Sequence, residues 1–213
     1  MATVTLSNDN GPDAEVTPRV LDTLARHGVR ATFFVIGEKL AGPEARRAAE
    51  RAQAEGHWIG NHTYTHRVPL GERTDPEDPE REVGSTQRLL GTLAHPDRLF
   101  RPFGGGELSR RLLSARARDY LIAGGYSCVV WNCVPRDWED PDGWIERGLA
   151  QCAGHPWFLV VLHDFVAGAE RMLDRFLGAL KEAGHEIVQA LPPECVPILR
   201  GRVVRPIEAL VTE

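Results

Sequence analysis

Short apolar runs alternate with longer amphipathic stretches along this chain, and a glycine repeatedly marks where one gives way to the other. Arg26-His27-Gly28-Val29 leads into Thr32-Phe33-Phe34-Val35-Ile36, and Ala54-Glu55-Gly56-His57 precedes Trp58-Ile59-Gly60. Ala123-Gly124-Gly125-Tyr126 precedes Cys128-Val129-Val130-Trp131, and Glu182-Ala183-Gly184-His185 precedes Glu186-Ile187-Val188. A glycine after the last turn supplies the left-handed residue that ends an α-helix, and β-branched or aromatic runs without polar alternation read as parallel strands buried on both faces. Further strands are predicted at Thr3 to Leu6, Leu99 to Arg101 and Trp157 to Leu162, with helices over residues 16–27, 43–55, 80–94, 109–123, 141–152 and 168–183. About seven short strands alternating with helices predict an α/β fold, a compact distorted (β/α) barrel, with an open parallel sheet as the alternative. Asp75-Pro76-Glu77-Asp78-Pro79-Glu80 reads as a polar, proline-punctuated loop entering a helix. No linker and no internal repeat interrupts residues 1–213, so one domain is expected.

Composition narrows the partners. The 213 residues suffice to bury a sizeable core, and 25 basic against 30 acidic residues give a net charge of −5 with no long block of either sign. This predicts neither nucleic-acid nor membrane-surface binding, and points to an uncharged or small polar partner. The start, Met1-Ala2-Thr3-Val4-Thr5-Leu6, has no basic segment followed by an apolar one, and no stretch approaches a membrane span, so a cytoplasmic location is expected. Cys128, Cys133, Cys152 and Cys195 form no CxxC pair and no Cys/His metal spacing, and are expected to be free buried thiols.

The unusual polar residues fall where predicted strands end: Asp9, the pair His62 and His66, Arg101, Asp137, and His163 with Asp164. In (β/α) barrels the C-terminal strand ends carry the active site. Asn61-His62-Thr63-Tyr64-Thr65-His66 spaces two imidazoles at i and i+4, which in a helical turn would place both rings on one face and let them share one divalent ion; an exposed helix face has the same spacing. Asp9-Asn10-Gly11-Pro12 predicts a tight turn that holds its side chains at the strand end, and equally an ordinary Asx turn. His163, after four apolar residues, belongs at the rim of the core, as a site residue or as a histidine bonded to backbone.

Taken together, these segments resemble the polysaccharide deacetylase family, the carbohydrate esterase group with the NodB homology domain, from Thr3 to about Leu191. Ser7-Asn8-Asp9-Asn10-Gly11-Pro12 stands at the family's Thr-Phe-Asp-Asp-Gly-Pro, and His62-Thr63-Tyr64-Thr65-His66 at its His-x-x-x-His. Arg101-Pro102-Phe103-Gly104, Asp137-Trp138 and Leu162-His163-Asp164 follow at the arginine, Asp-Trp and final histidine motifs. The resemblance implies a NodB-like fold and a metal-dependent hydrolase that removes N-acetyl groups from an amino sugar. It implies Asp9 as general base for the attacking water, His163 as general acid for the leaving amine, Arg101 orienting Asp9, and Asp137 pairing with His163. His62, His66 and Asn10 would hold one divalent ion, zinc with cobalt or nickel as substitutes. Backbone N–H near Phe103 and Gly104 would hold the oxyanion, while Trp138 and Leu162 would wall the acyl group. A soluble mono- or oligosaccharide or an N-acylated metabolite is the expected substrate.

The match has gaps. Asn10 replaces the family's second aspartate, a charged metal ligand; an amide oxygen coordinates without charge, so weaker metal binding is expected. Asp13 is a conceivable substitute. Val134 replaces the first aspartate of Asp-x-x-Asp-Trp, and Phe103-Gly104 replaces Pro-Tyr. These changes leave two further readings: a hydrolase of a non-sugar amide, imide or ureide, and a carbohydrate-binding homologue with little activity.

Overall fold

Helices in this chain stop at glycines that tolerate positive φ: Gly28 closes the first at φ +66 and Gly56 follows the second at φ +87. The computed structural model describes Met1 to Glu213. Its strands are β1 (Thr3–Asp9), β2 (Thr32–Val35), β3 (Trp58–Asn61), β4 (Leu99–Phe100), β5 (Leu113–Ser114), β6 (Ser127–Cys128), β7 (Trp157–His163), β8 (Glu186–Val188), β9 (Ile198–Leu199), β10 (Arg202–Val203) and β11 (Val211–Thr212). The helices are α1 (Val16–His27), α2 (Pro43–Ala54), α3 (Ser85–Leu90), α4 (Ala115–Ala123), α5 (Trp144–Gln151) and α6 (Ala169–Glu182). None is long and apolar enough to cross a membrane.

Nine strands form one sheet in the order β10-β9-β6-β4-β3-β2-β1-β7, with β8 beside the first half of β1. The sheet curls. Beyond β6 the chain reaches back to β7, where Cys133 bridges Val160, Val161 N–H donating to Cys133 O at 3.0 Å. This contact makes a distorted, incomplete barrel, as expected, rather than the alternative open sheet. The antiparallel β9–β10 hairpin lies outside the curl against β6.

Strand alternation sorts side chains between two cores. Val4, Leu6, Phe33, Phe158, Val160 and Leu162 face the layer that includes α1 and α6, while Phe34, Leu159, Val161 and Trp131 belong to a second cluster with Phe100 and Leu121. All four cysteines are buried and free.

Two predicted helices do not run through as single helices, and the one over 141–152 begins only at Trp144. The stretch 80–94 splits into a π-turn at Glu80–Gly84, α3, and a 3-10 turn at Gly91–Leu93. Glu82, buried at 3 % exposure, accepts from the N–H groups of Tyr64 and Thr65 at 3.0 and 2.9 Å, so this face of the helix serves the histidine turn. In 109–123 only α4 is α-helical, because Leu113–Ser114 instead pairs with Val211–Thr212. The strand predicted through Trp131 ends at Cys128, since Val130 N–H donates to Cys195 O and leaves the ladder.

Candidate active site

Asp9 and His163 end adjacent parallel strands, and their Cα positions are register partners across β1 and β7. Two steps back, Ser7 and Val161 share their face, so alternation aims Asp9 and His163 into the same cavity. Asn61 of β3 pairs with Phe100 of β4, which brings the chain after each, His62 and Arg101, to the same end.

Asp9 is held by a buried guanidinium. Arg101, with no exposed surface, donates Nη1 to Asp9 Oδ1 at 2.7 Å and to Ser7 Oγ at 2.6 Å. Its remaining nitrogens reach the carbonyls of Val129 and Val130, and its plane lies 4.0 Å from the Phe34 ring centroid. The fixed fork orients one carboxylate oxygen of Asp9 and leaves Oδ2 free, 3.6 Å from His62 Nε2.

His163 is fixed from the opposite side. Asp137 accepts from His163 Nδ1 at 2.7 Å and from its backbone N–H at 2.8 Å, which leaves Nε2 for the cavity. Burial lowers the pKa of this imidazole, but the hydrogen bond and charge of Asp137, with Asp9 and Asp164, outweigh it and hold the value above 6.5. The shift favours the imidazolium, the form that can donate a proton. Asp137→Asn should move the alkaline limb of kcat to lower pH, which a pH–rate profile of turnover checks; an unmoved limb refutes the pairing. The same sign means that this group's contribution to folding is complete below its unfolded pKa and lost as pH rises through its folded value.

His62 and His66 converge, but not on a helix. Residues 62–66 form an irregular turn with Thr63 at φ +66 and His66 at φ +52, so the expected helical face is replaced by a turn. Asn61 Oδ1 accepts from Thr63 N–H at 3.0 Å, Thr63 Oγ1 from His66 N–H at 3.2 Å, and Glu82 closes the outside. The two Nε2 atoms stand 3.1 Å apart. Two nitrogens each about 2.0–2.1 Å from one tetrahedral ion stand roughly 3.3 Å apart, so this separation suits shared coordination. His62 Nδ1 donates to Arg101 O at 2.8 Å, which turns the Nε2 lone pair toward the cavity. Burial pushes both imidazoles down to about 3, so both are neutral near pH 7.

No three His, Cys, Asp or Glu side chains converge as a ligand cluster. The third donor on the cavity wall is Asn10, at φ +67, whose Oδ1 is buried without a hydrogen-bond partner. An orphaned buried amide oxygen costs on the order of 1–3 kcal/mol, which a bound cation would recover. Two neutral imidazoles and this oxygen therefore fit a divalent ion, though without a charged ligand. Asp13 does not reach; its Oδ1 accepts from the N–H groups of Glu15 and Val16, both at 2.8 Å, at the start of α1. Asn10→Asp should tighten divalent binding by roughly tenfold or more, a size comparable to changing a ligand's supporting partner. Titration calorimetry with zinc checks this, and unchanged affinity refutes a ligand role for position 10.

Phe103, Gly104 and Trp138 line the cavity, and the N–H groups of Phe103 and Gly104 donate to no other protein group. Leu162 does not line it. Alternation along β7 turns Leu162 into the outer core, and Val161 takes its place. Val134, at the place of the motif's first aspartate, lines the cavity too, while Trp131 and Phe165 are walls that sequence reasoning missed: Trp131 ends a strand run, Phe165 follows the final motif, and no spacing rule singles either out. Asp164, also in the final motif, faces away, fully buried against Thr17 and Gly11.

A carboxylate oriented by arginine, an imidazole oriented by a second carboxylate, and a neutral donor set between them define a hydrolytic class of site on a curled α/β scaffold. The chain belongs to the polysaccharide deacetylase family, whose sequence pattern it matches over residues 2–122. It is 38% identical over 175 residues to a chitooligosaccharide deacetylase of Bradyrhizobium sp., covering 79% of this chain and 74% of that one. It is 30% identical over 192 residues to the peptidoglycan-N-acetylglucosamine deacetylase of Bacillus cereus, covering 88% of this chain and spanning 66% of that relative's length. A family 4 acetyl xylan esterase of Clostridium thermocellum, solved with a cobalt ion, superposes with a TM-score of 0.71 at 26% identity, covering 87% of each chain.

Proposed function

We propose that this protein is a metal-dependent hydrolase that removes N-acetyl groups from an amino sugar or its oligomers. The observation that carries the reading is the pairing of Asp9 and His163 as register partners, each with its own charge partner, on one cavity of about 570 Å³ including its open mouth. Asp9 Oδ2 accepts the proton of the attacking water, with Arg101 keeping the carboxylate in place. The N–H groups of Phe103 and Gly104 receive the developing oxyanion. His163 Nε2 then gives its proton to the leaving nitrogen, and Asp137 stabilises the imidazolium before that transfer. When held by His62, His66 and Asn10, a divalent ion, zinc with cobalt or nickel as substitutes, supplies Lewis acidity to water and the acyl carbonyl. The relatives' names, chitooligosaccharide and peptidoglycan-N-acetylglucosamine deacetylase, support an N-acetylated sugar as substrate.

Acetate release from metal-reconstituted protein across N-acetyl sugars, imides and ureides tests this. Acetate from sugars supports the proposal, and turnover of imides or ureides alone replaces it with a hydrolase of other C–N bonds. The uncharged Asn10 favours one competing reading, a sugar-binding protein with little activity. Tight sugar binding without turnover at any metal would establish that reading instead. A soluble sugar met in the cytoplasm is part of the proposal, and finding the full-length native product outside the cell would overturn that part.

A further inference from the structure

His163 stands between two aromatic rings, Trp138 at 4.8 Å and Phe165 at 5.5 Å between centroids, both edge-on. Both rings line the cavity that His163 faces. Each ring has a cation near it: Arg136 lies 5.8 Å from the Trp138 centroid, and Lys39 Nζ lies 5.4 Å from that of Phe165. The two cations differ in one respect. Arg136 is paired with Glu139 at 2.7 Å, whereas Lys39 Nζ makes no ion pair and no hydrogen bond. Its neighbour Glu38 turns instead to Arg67, at 2.9 and 3.0 Å. Asp164 feels the charge of Lys39 but is fully buried, bonded to Thr17 and pressed on Gly11.

A half-buried lysine whose Nζ lies over the ring of Phe165, itself a wall of the cavity, and whose donors are free is poised for a charge-assisted contact with an anion. We propose that Lys39 and the Phe165 ring form a subsite for an anionic substituent, phosphate or carboxylate, on the sugar that carries the acetamido group. This rests on the deacetylase reading and narrows its substrate class. The phosphate or carboxylate meets the Lys39 ammonium while the sugar face packs on Phe165, which is 40% exposed beside the cavity.

The test compares N-acetylglucosamine, N-acetylglucosamine 6-phosphate and N-acetylmuramic acid as substrates of the zinc-loaded full chain, with wild type, Lys39→Gln and Lys39→Arg. Equilibrium binding of the same three sugars is measured alongside, so a failure of turnover leaves the subsite decided by affinity. Wild type should prefer one of the anionic sugars, with the difference in KM and Kd rather than kcat; the preferred one identifies phosphate or carboxylate. In Lys39→Gln the ratio of anionic to neutral kcat/KM should fall roughly three- to tenfold, Lys39→Arg should keep most of it, and salt should weaken it. Equal affinity for all three sugars in wild type overturns the proposal. So does an equal loss for neutral and anionic sugars in Lys39→Gln, which would make Lys39 a structural partner of Asp164. No acetate from any sugar would overturn the deacetylase reading alone.

Discussion

Asp9→Asn is expected to lower the turnover of an N-acetylated sugar by roughly two orders of magnitude or more, and His163→Ala to lower it as much for a different reason. The amide at position 9 still accepts from Arg101 but cannot take a proton from water. The alanine at 163 cannot give one to nitrogen, and Asp137 is left without its ring partner. Wild-type kcat should fall as pH rises through the raised value of His163, because the imidazole must be protonated to give its proton to nitrogen. Residual activity should lose this alkaline limb in His163→Ala and keep it in Asp9→Asn. Zinc binding through His62 and His66 should persist in both, which separates lost chemistry from a collapsed site. An unchanged alkaline limb in His163→Ala, or unchanged turnover in Asp9→Asn, refutes the assigned role.

The second large effect is on stability. Arg101 has no exposed surface and Asp9 is 4 % exposed, so their ion pair lies where an unpaired charge is costly. Arg101→Met, which strands the Asp9 carboxylate, should cost roughly 3–5 kcal/mol. Asp9→Asn should also destabilise, through the stranded guanidinium, so its kinetics belong well below its melting temperature. Combining the two should cost less than the sum, since no buried charge then remains unpaired. Denaturant unfolding of the four proteins checks this, and strictly additive losses would show that the pair is not coupled.

Much of this site was legible in the sequence because strand ends collect polar residues in a fixed order, and Asp9, His62, Arg101, Asp137 and His163 do meet at one end of the sheet. Period-two alternation adds what motif matching lacked: within Val161-Leu162-His163 it turns the leucine away and the valine inward. The i, i+4 spacing of His62 and His66 picked out two rings that do converge, but not through a helical turn. Positive φ at Thr63 and His66, braced by Asn61 and Glu82, brings the rings together, and no helical turn is involved. Glu82 was invisible in advance because its partners lie 17 and 18 residues away in sequence. The closure of the curl was hidden likewise, since it depends on Cys133, outside every strand run, reaching Val160.

The central claim is one hydrolytic site with divided proton roles, and acetate release from N-acetylglucosamine oligomers by the zinc-loaded protein, beside Asp9→Asn under the same conditions, tests it most directly. Wild type should release acetate and expose one free amine per acetate, and Asp9→Asn should release roughly a hundredth or less. No acetate from the wild type with zinc, cobalt or nickel, together with tight sugar binding that Asp9→Asn leaves unchanged, would contradict it.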